Sequence, residues 1–238
     1  VLFQSVHQKF GGSLELIVCG AAALDPQLAE KWELLGVKIA QGYGATEASP
    51  VITLHEQDKT AYDSVGPSIP GVDLRIAEDG EILIRGPNIT PGYWNAPERT
   101  AEVFEGDWYK TGDLGTLDEK GFLRLNGRKK DMIVLPSGQN VFPDDLETVL
   151  KRQDAVKDAV VVGVPKGPGT EVHVAIIGED AAEIERAVTL ANAQLGEYQQ
   201  IRGHTIWPDD DFPRTHTLKV RKGIVAEMLA AGTFAAPA

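Results

Sequence analysis

The stretch Gln41-Gly42-Tyr43-Gly44-Ala45-Thr46-Glu47 combines the residue types that an anionic ligand needs. Its two glycines let backbone amides come close to an anion. Thr46 offers a hydroxyl, Glu47 a carboxylate able to hold Mg2+ beside phosphates, and Tyr43 a flat ring on which a base can stack. A Gly-rich turn is as often plain structure, so this pattern alone leaves both readings open. Asp113, at the end of Trp108-Tyr109-Lys110-Thr111-Gly112-Asp113, is in isolation first a turn cap. In Gly127-Arg128-Lys129-Lys130-Asp131, four charges after a glycine exclude a buried strand, because unpaired charges are costly to desolvate. Either a solvated turn or a hinge bearing a nucleotide-contacting arginine satisfies that constraint. Lys219 reads by itself as a solvated lysine ahead of a helix.

The elements that must position these groups follow from periodicity. Leu14–Cys19 predicts a buried strand ending at Gly20, followed by Ala21-Ala22-Ala23. Asp25 caps a helix opened by Pro26, with Leu28, Trp32 and Leu35 on one face and Gly36 as its stop. Residues 37–40 give a second strand, and the β-α-β unit implies a parallel sheet. The Gly-rich stretch then sits just after a strand, where open α/β sheets place ligands. From about 50 to 126 the pattern is β, with Gly and Pro turns at the roughly 8–12-residue spacing of all-β segments. Within it Tyr93 and Trp94 are expected to pack, and Asp118-Glu119-Lys120-Gly121 turns a hairpin. Beyond the charged pentapeptide come a strand at 132–135, a turn at 136–140 and a helix opened by Pro143. Strands at 159–164 and 172–177 follow, then a helix capped by Asp180 and ended by Gly196. A strand at 205–207 and a last helix carrying Ile224, Val225, Met228 and Leu229 complete the chain.

Composition narrows the class. The 238 residues carry a net charge of -12, which argues against general affinity for nucleic acid or anionic membranes. A single cysteine, Cys19, excludes an intrachain disulfide and suits a reducing compartment, so a cytoplasmic setting is expected. No apolar run approaches the roughly 20 residues of a transmembrane helix. The five histidines have no ligand spacing, and no pattern specifies an oligomeric state.

Taken in order, QGYGATE, GPNITPGYWNAPERT, YKTGD, GRKKD and PRTHTLK resemble the adenylate-forming acyl-CoA synthetase superfamily. GRKKDMIVLPSGQNVFPDDLE and a lysine motif lacking the usual glycine are most similar to long-chain fatty acyl-CoA ligases. The resemblance implies α/β plus α+β architecture. Residues 1–127 would form the end of a large N-terminal lobe (an α/β sheet and a β-barrel-like part), 128–131 a hinge and 132–238 a small mobile α+β lobe. It implies a carboxylate activated by ATP to acyl-AMP and pyrophosphate, then transferred to coenzyme A, with fatty acid, ATP and CoA as ligands. Tyr43 would stack on adenine, with the backbones of Gly20, Ala21, Ala22, Gln41 and Gly42 at its edge and Gly44 beside it. Thr46 would contact phosphate and Glu47 the Mg2+, while Asp113 and Arg128 would bind the ribose. Lys219 would bridge the substrate carboxylate and the α-phosphate. Lys130 takes the position of the hinge residue, Lys129 that of surface charge, and Ser137 and Gly138 would line the pantetheine channel after the small lobe swings. The family's Ser/Thr/Gly-rich phosphate loop is not among these residues, so the chain corresponds to the C-terminal portion of the enzyme and is expected not to adenylate alone. Ala21 and Leu218 stand where many relatives have glycine. Alternatives are a non-catalytic binding module of the same fold, or an adenylating enzyme with another acid or acceptor.

Overall fold

A computed structural model describes residues 3–22, 24–55, 61–216 and 218–232. The chain divides into two compact units, Val1–Lys129 and Lys130–Ala238.

The first unit opens with α1 (Gln4–Lys9), β1 (Leu16–Cys19), α2 (Pro26–Leu34), β2 (Lys38–Tyr43) and β3 (Thr53–Leu54). Asp25 accepts from the Gln27 amide at 3.0 Å and Pro26 opens α2, so the cap reads as its residue types dictate. Gly36, at φ +89°, ends the helix and turns the chain into β2. β1 and β2 pair in parallel, Leu16 with Lys38 through Cys19 with Gln41, and β3 pairs antiparallel with β2. β1 is less buried than its apolar run predicts: Val18 is 63% exposed, because β2 is its sole ladder partner among the described residues. On α2 it is Ala29 that is buried, while Leu28 is exposed and Trp32 packs edge-on against Phe10.

The β region comprises β4 (Asp73–Ile76), β5 (Glu81–Arg85), α3 (Pro97–Val103), β6 (Phe104–Glu105), β7 (Trp108–Leu117) and β8 (Leu123–Arg128). The expected barrel-like part is instead an open five-stranded antiparallel sheet, ordered β4-β5-β7-β6 with β8 also on β7. Closure requires every strand to have neighbours on both edges, and β4 pairs with β5 alone among the described residues. A rhythm of Gly and Pro turns is common to open meanders and barrels, so it could not separate them. Tyr43, Ile52, Ile82, Ile84, Tyr109 and Leu123 share one core, which ties β2 to this sheet. Trp94 does not pack as expected; it is 91% exposed.

The second unit holds β9 (Ile133–Val134), β10 (Asn140–Val141), α4 (Pro143–Lys151), β11 (Asp158–Lys166), β12 (Gly169–Ile177), α5 (Ala181–Asn192), β13 (Gly203–Ile206) and α6 (Lys222–Ala230). β12 lies between antiparallel β11 and parallel β13. Alternation along β11 sends Val161 into a core with Leu146, Leu150, Ile184 and Val188. Val160 and Val162 point the other way, to Trp207, Phe212 and Val225. Both faces are covered, which explains the unbroken apolar run at 159–162. Asp180 caps α5 by accepting from Ala182 and Glu183 amides. The helix stops at Asn192, short of Gly196, and the Asn192 side-chain amide donates to the Ile201 carbonyl and accepts from its N–H.

Candidate functional site

Where β2 ends, Gly44 lets the chain double back: a Cβ there would lie 1.8 Å from the Pro50 carbonyl oxygen. The tight turn presents Thr46 and Glu47 on a short 3-10 helix, Thr46–Ala48, with Thr46 exposed. Asn88 clamps the turn from outside, donating to Ala48 and Val51 carbonyls at 2.7 and 3.0 Å. Asn88 lies within GPNITPGYWNAPERT, yet nothing local marks this role, since its partners lie some forty positions upstream.

Tyr43 is 8% exposed, and its hydroxyl donates to Asp113 Oδ2 at 2.5 Å. Burial first, then the Asp113 charge and hydrogen bond, push the phenol far above its ordinary range. The hydroxyl is therefore a fixed donor. Arg128 Nε donates to Asp113 Oδ1 at 2.7 Å, and the two residues are directly opposite in the β7–β8 ladder. Three of the expected nucleotide-site residues thus meet on one carboxylate.

Asp113 is aimed by an irregularity in β7. Glu81 pairs with Leu114, yet Leu83 pairs with Lys110, so β7 accommodates extra residues at Thr111-Gly112-Asp113. Gly112 takes φ +71°, and its amide donates to Glu81 Oε1 at 2.9 Å. Thr111 Oγ1 donates to the Ile82 carbonyl and accepts from the Asp113 amide. Lys129 joins the same frame: its Nζ reaches Asp79 at 2.5 Å and nearly buried Glu81 at 2.8 Å. Lys129 is thereby more than the surface charge expected of it, and its hydrogen bonds to Asp79 and Glu81 raise its pKa. Glu81 was missed by sequence reasoning because a single Glu opening a strand carries no local signal.

Glu47 accepts from the Tyr93 hydroxyl at 2.7 Å, and Tyr93 and Tyr109 hydroxyls approach to 3.5 Å. Desolvation first, then the Tyr93 hydrogen bond and the Glu47 charge, push Tyr109 upward, so both phenols stay neutral beside the carboxylate. Glu47 suits a hard cation that takes one carboxylate along with phosphate oxygens. No cluster of three or more His, Cys, Asp or Glu forms a metal site among the described residues. On the β1 side, Gly20 lies beside the Gly42 carbonyl, where a Cβ would sit 3.3 Å away. Ala21 holds a left-handed φ of +68°, Ala22 is exposed, and the side chain of buried Gln41 donates to the Tyr62 carbonyl. Ala23 lies outside the described residues.

The remaining candidates belong to the second unit. Lys130 is exposed at its start. Ser137 and Gly138 form the exposed tip of the β9–β10 hairpin, with Gly138 at φ +82° and its amide on the Leu135 carbonyl. Lys219 is exposed on a second hairpin, where Arg214 and Val220 bridge and the Lys219 amide donates to Thr215 Oγ1 at 3.2 Å. Leu218, one residue earlier, is left-handed at φ +62°. Thr217 lies outside the described residues.

Among known proteins, the model of the AMP-binding enzyme family matches residues 2–94, and that of the AMP-binding enzyme C-terminal domain matches 130–232. The chain is 34% identical to the long-chain-fatty-acid–CoA ligase FadD15 of Mycobacterium bovis, over 97% of its own length and 43% of the relative's. Against the long-chain-fatty-acid–CoA ligase of Yersinia pestis the identity is 35%, over 95% of this chain and 42% of that one. The chain thus spans less than half the length of these curated relatives. Among solved structures it resembles an ATP-bound RpMatB-BxBclM chimera, with TM-score 0.83 and 28% identity over 95% of this chain and 48% of that one. The amide bond synthetase McbA of Marinactinospora thermotolerans gives TM-score 0.78 and 33% identity, over 92% and 47%. Two domain matches in the order of the two units, with relatives aligned across nearly the whole chain, show that it belongs to the AMP-binding, adenylate-forming enzyme family.

Proposed function

We propose that this chain is the C-terminal portion of an AMP-forming long-chain fatty acid–CoA ligase, contributing the adenosine end of the adenylation site and the lobe that moves between half-reactions. The observation that carries the reading is Asp113, an acceptor fixed between the Tyr43 hydroxyl and Arg128 and suited to a cis-diol. The family resemblance implies the chemistry: a carboxylate oxygen attacks the α-phosphorus of ATP and pyrophosphate leaves. The thiol of CoA then attacks the acyl carbonyl and AMP leaves.

In this reading Asp113 and Arg128 orient the ribose, the Gly20–Ala22 and Gln41–Gly44 backbones border the adenine, and Thr46 contacts phosphate. Glu47 would hold Mg2+, which supplies charge neutralisation at the phosphates. Tyr43 is so deeply buried that its ring offers the adenine an edge or a small part of one face, a narrower contact than full stacking. Lys219 brings a mobile positive charge to the carboxylate and α-phosphate during the first step, where alignment and charge neutralisation dominate the barrier. Lys130 serves as the pivot, and the Ser137-Gly138 turn lines the thiol's approach in the second step.

The test uses the full-length protein with hexadecanoate, ATP and CoA. Lys219→Ala is expected to reduce pyrophosphate release on the order of a hundredfold or more while sparing thioester formation from supplied hexadecanoyl-AMP. Equal losses in both steps would sink the assignment. The 238 residues alone are expected to release no pyrophosphate. McbA, 33% identical, favours a second reading in which an amine replaces CoA as acceptor. Appearance of hexadecanoyl-CoA on adding CoA decides between them.

A further inference from the structure

Lysine is a poor residue for precision by itself: four flexible methylenes separate its charge from the backbone. A fold can fix only the peptide from which such a side chain springs. In the second unit the N–H of that peptide donates to Thr215 Oγ1 and its carbonyl is held by one arginine. Arg214 Nη1 donates to the carbonyl of Leu218, the residue before Lys219, at 3.0 Å. The rest of the guanidinium is tied down in two other directions. Its Nε donates to Asp211 at 2.8 and 3.0 Å, and its Nη2 to Asp158 at 2.8 Å. Asp158 is the first residue of β11 and is itself paired with Lys151 of α4 at 2.8 Å. The rigid planar fork of arginine suits this use, since its donors diverge at fixed angles.

The held carbonyl belongs to a backbone that needs holding. Leu218 is 74% exposed, so no apolar burial keeps it in place, and its φ of +62° is disfavoured for a residue with a Cβ. The hairpin closes with Thr215 N–H on the Lys219 carbonyl and Leu218 N–H on the Thr215 carbonyl. Those bonds fix the turn internally. Among the described contacts, Arg214 ties the turn's tip to β11 by hydrogen bonds, and Val220 beside Lys219 packs on the core that holds Val160 and Val162.

We propose that Arg214 is a positioning residue for Lys219, pinning the Leu218 carbonyl to Asp158 of β11 so that the lysine is delivered from a fixed point during adenylation. The proposal rests on the reading of Lys219 given above. Arg214 itself is assigned no contact with substrate.

Half-reaction kinetics of the full-length protein, again with hexadecanoate, separate this role from general support of the lobe. Arg214→Gln is expected to lower the kcat of pyrophosphate release about tenfold to a hundredfold, with KM for ATP nearly unchanged, as for a catalytic group displaced by about an ångström. Thioester formation from supplied hexadecanoyl-AMP stays within about twofold of wild type, and Arg214→Lys recovers part of the loss. In a Lys219→Ala background, Arg214→Gln adds less than about twofold, because a residue acting through Lys219 has nothing left to position. If Arg214→Gln does not fold, Asp158→Asn, which loosens the same tether from the strand side, carries the same signature at smaller size. Equal losses in both half-reactions, or a full additional loss in the Lys219→Ala background, would overturn the proposal. A silent Arg214→Gln beside a defective Lys219→Ala overturns it alone. A silent Lys219→Ala overturns it together with the reading beneath it.

Discussion

At the scale of single residues, the site depends on neutral donors held against carboxylates. Tyr43→Phe removes the hydroxyl on Asp113 Oδ2 and leaves the ring in its core, so the expected cost is about 1.5–3 kcal/mol, the range for a hydrogen bond to a charged partner. Urea unfolding measures it, and a raised KM for ATP in the full-length protein should accompany it. Leu218 makes the opposite case. Replacing it by Gly relieves roughly 1–2 kcal/mol of left-handed strain and adds roughly 0.5–1 kcal/mol of backbone entropy. Since the side chain is exposed, a small net stabilisation is expected in the same assay. A leucine just before the lysine was visible in the sequence; the backbone angle that makes it matter was not.

At the scale of elements, the bulge in β7 is what turns a strand into a binding feature. Glu81→Ala would orphan the Gly112 amide and strip Lys129 of one of its two carboxylates, costing about 2 kcal/mol. It should also raise KM for ATP without moving the thioester step, because the damage is confined to the support of Asp113. The hairpin after β7, the caps of α2 and α5 and the turn at Gly138 were all legible, because each depends on neighbours in sequence. The bulge was not. Its partners are 31 positions apart, and alternation along Trp108–Leu117 gives no sign of where residues are added. The same separation hid Asn88, and it made the barrel expectation fail where short-range turn signals were right.

For the molecule as a whole, the two units have separate cores, and both faces of the second sheet are covered from within its own unit. Residues 130–238 are therefore expected to fold when expressed alone, with a single cooperative denaturant transition; a non-cooperative profile would contradict this. Each unit also carries a shielded histidine, buried His55 and half-buried His173, whose pKa is lowered chiefly by desolvation. The sign follows from linkage. The unfolded state binds the proton more readily, so stability is full above the ordinary histidine value of about 6.5 and is lost as pH falls from there to the lower folded value. Replacing either histidine by Gln should flatten that acid-side fall in Tm for its own unit. A change from β texture to alternating elements falls near the boundary between the two units. The independence of the second core was less legible, because an unbroken apolar strand does not say what covers each face.

That second core has an optical consequence. Of the four tryptophans, Trp32, Trp94 and Trp108 belong to the first unit and Trp207 to the second. Trp207 is 4% exposed, stacked at a tilt on Phe212, with its indole N–H on the Asp211 carbonyl, the same Asp211 whose carboxylate grips Arg214. A protein retaining Trp207 as its sole indole would emit from beside the Lys219 hairpin's anchor. Its wavelength and quenching would then follow the C-terminal unit through melting or turnover, against a background from which the fully wet Trp94 has been removed.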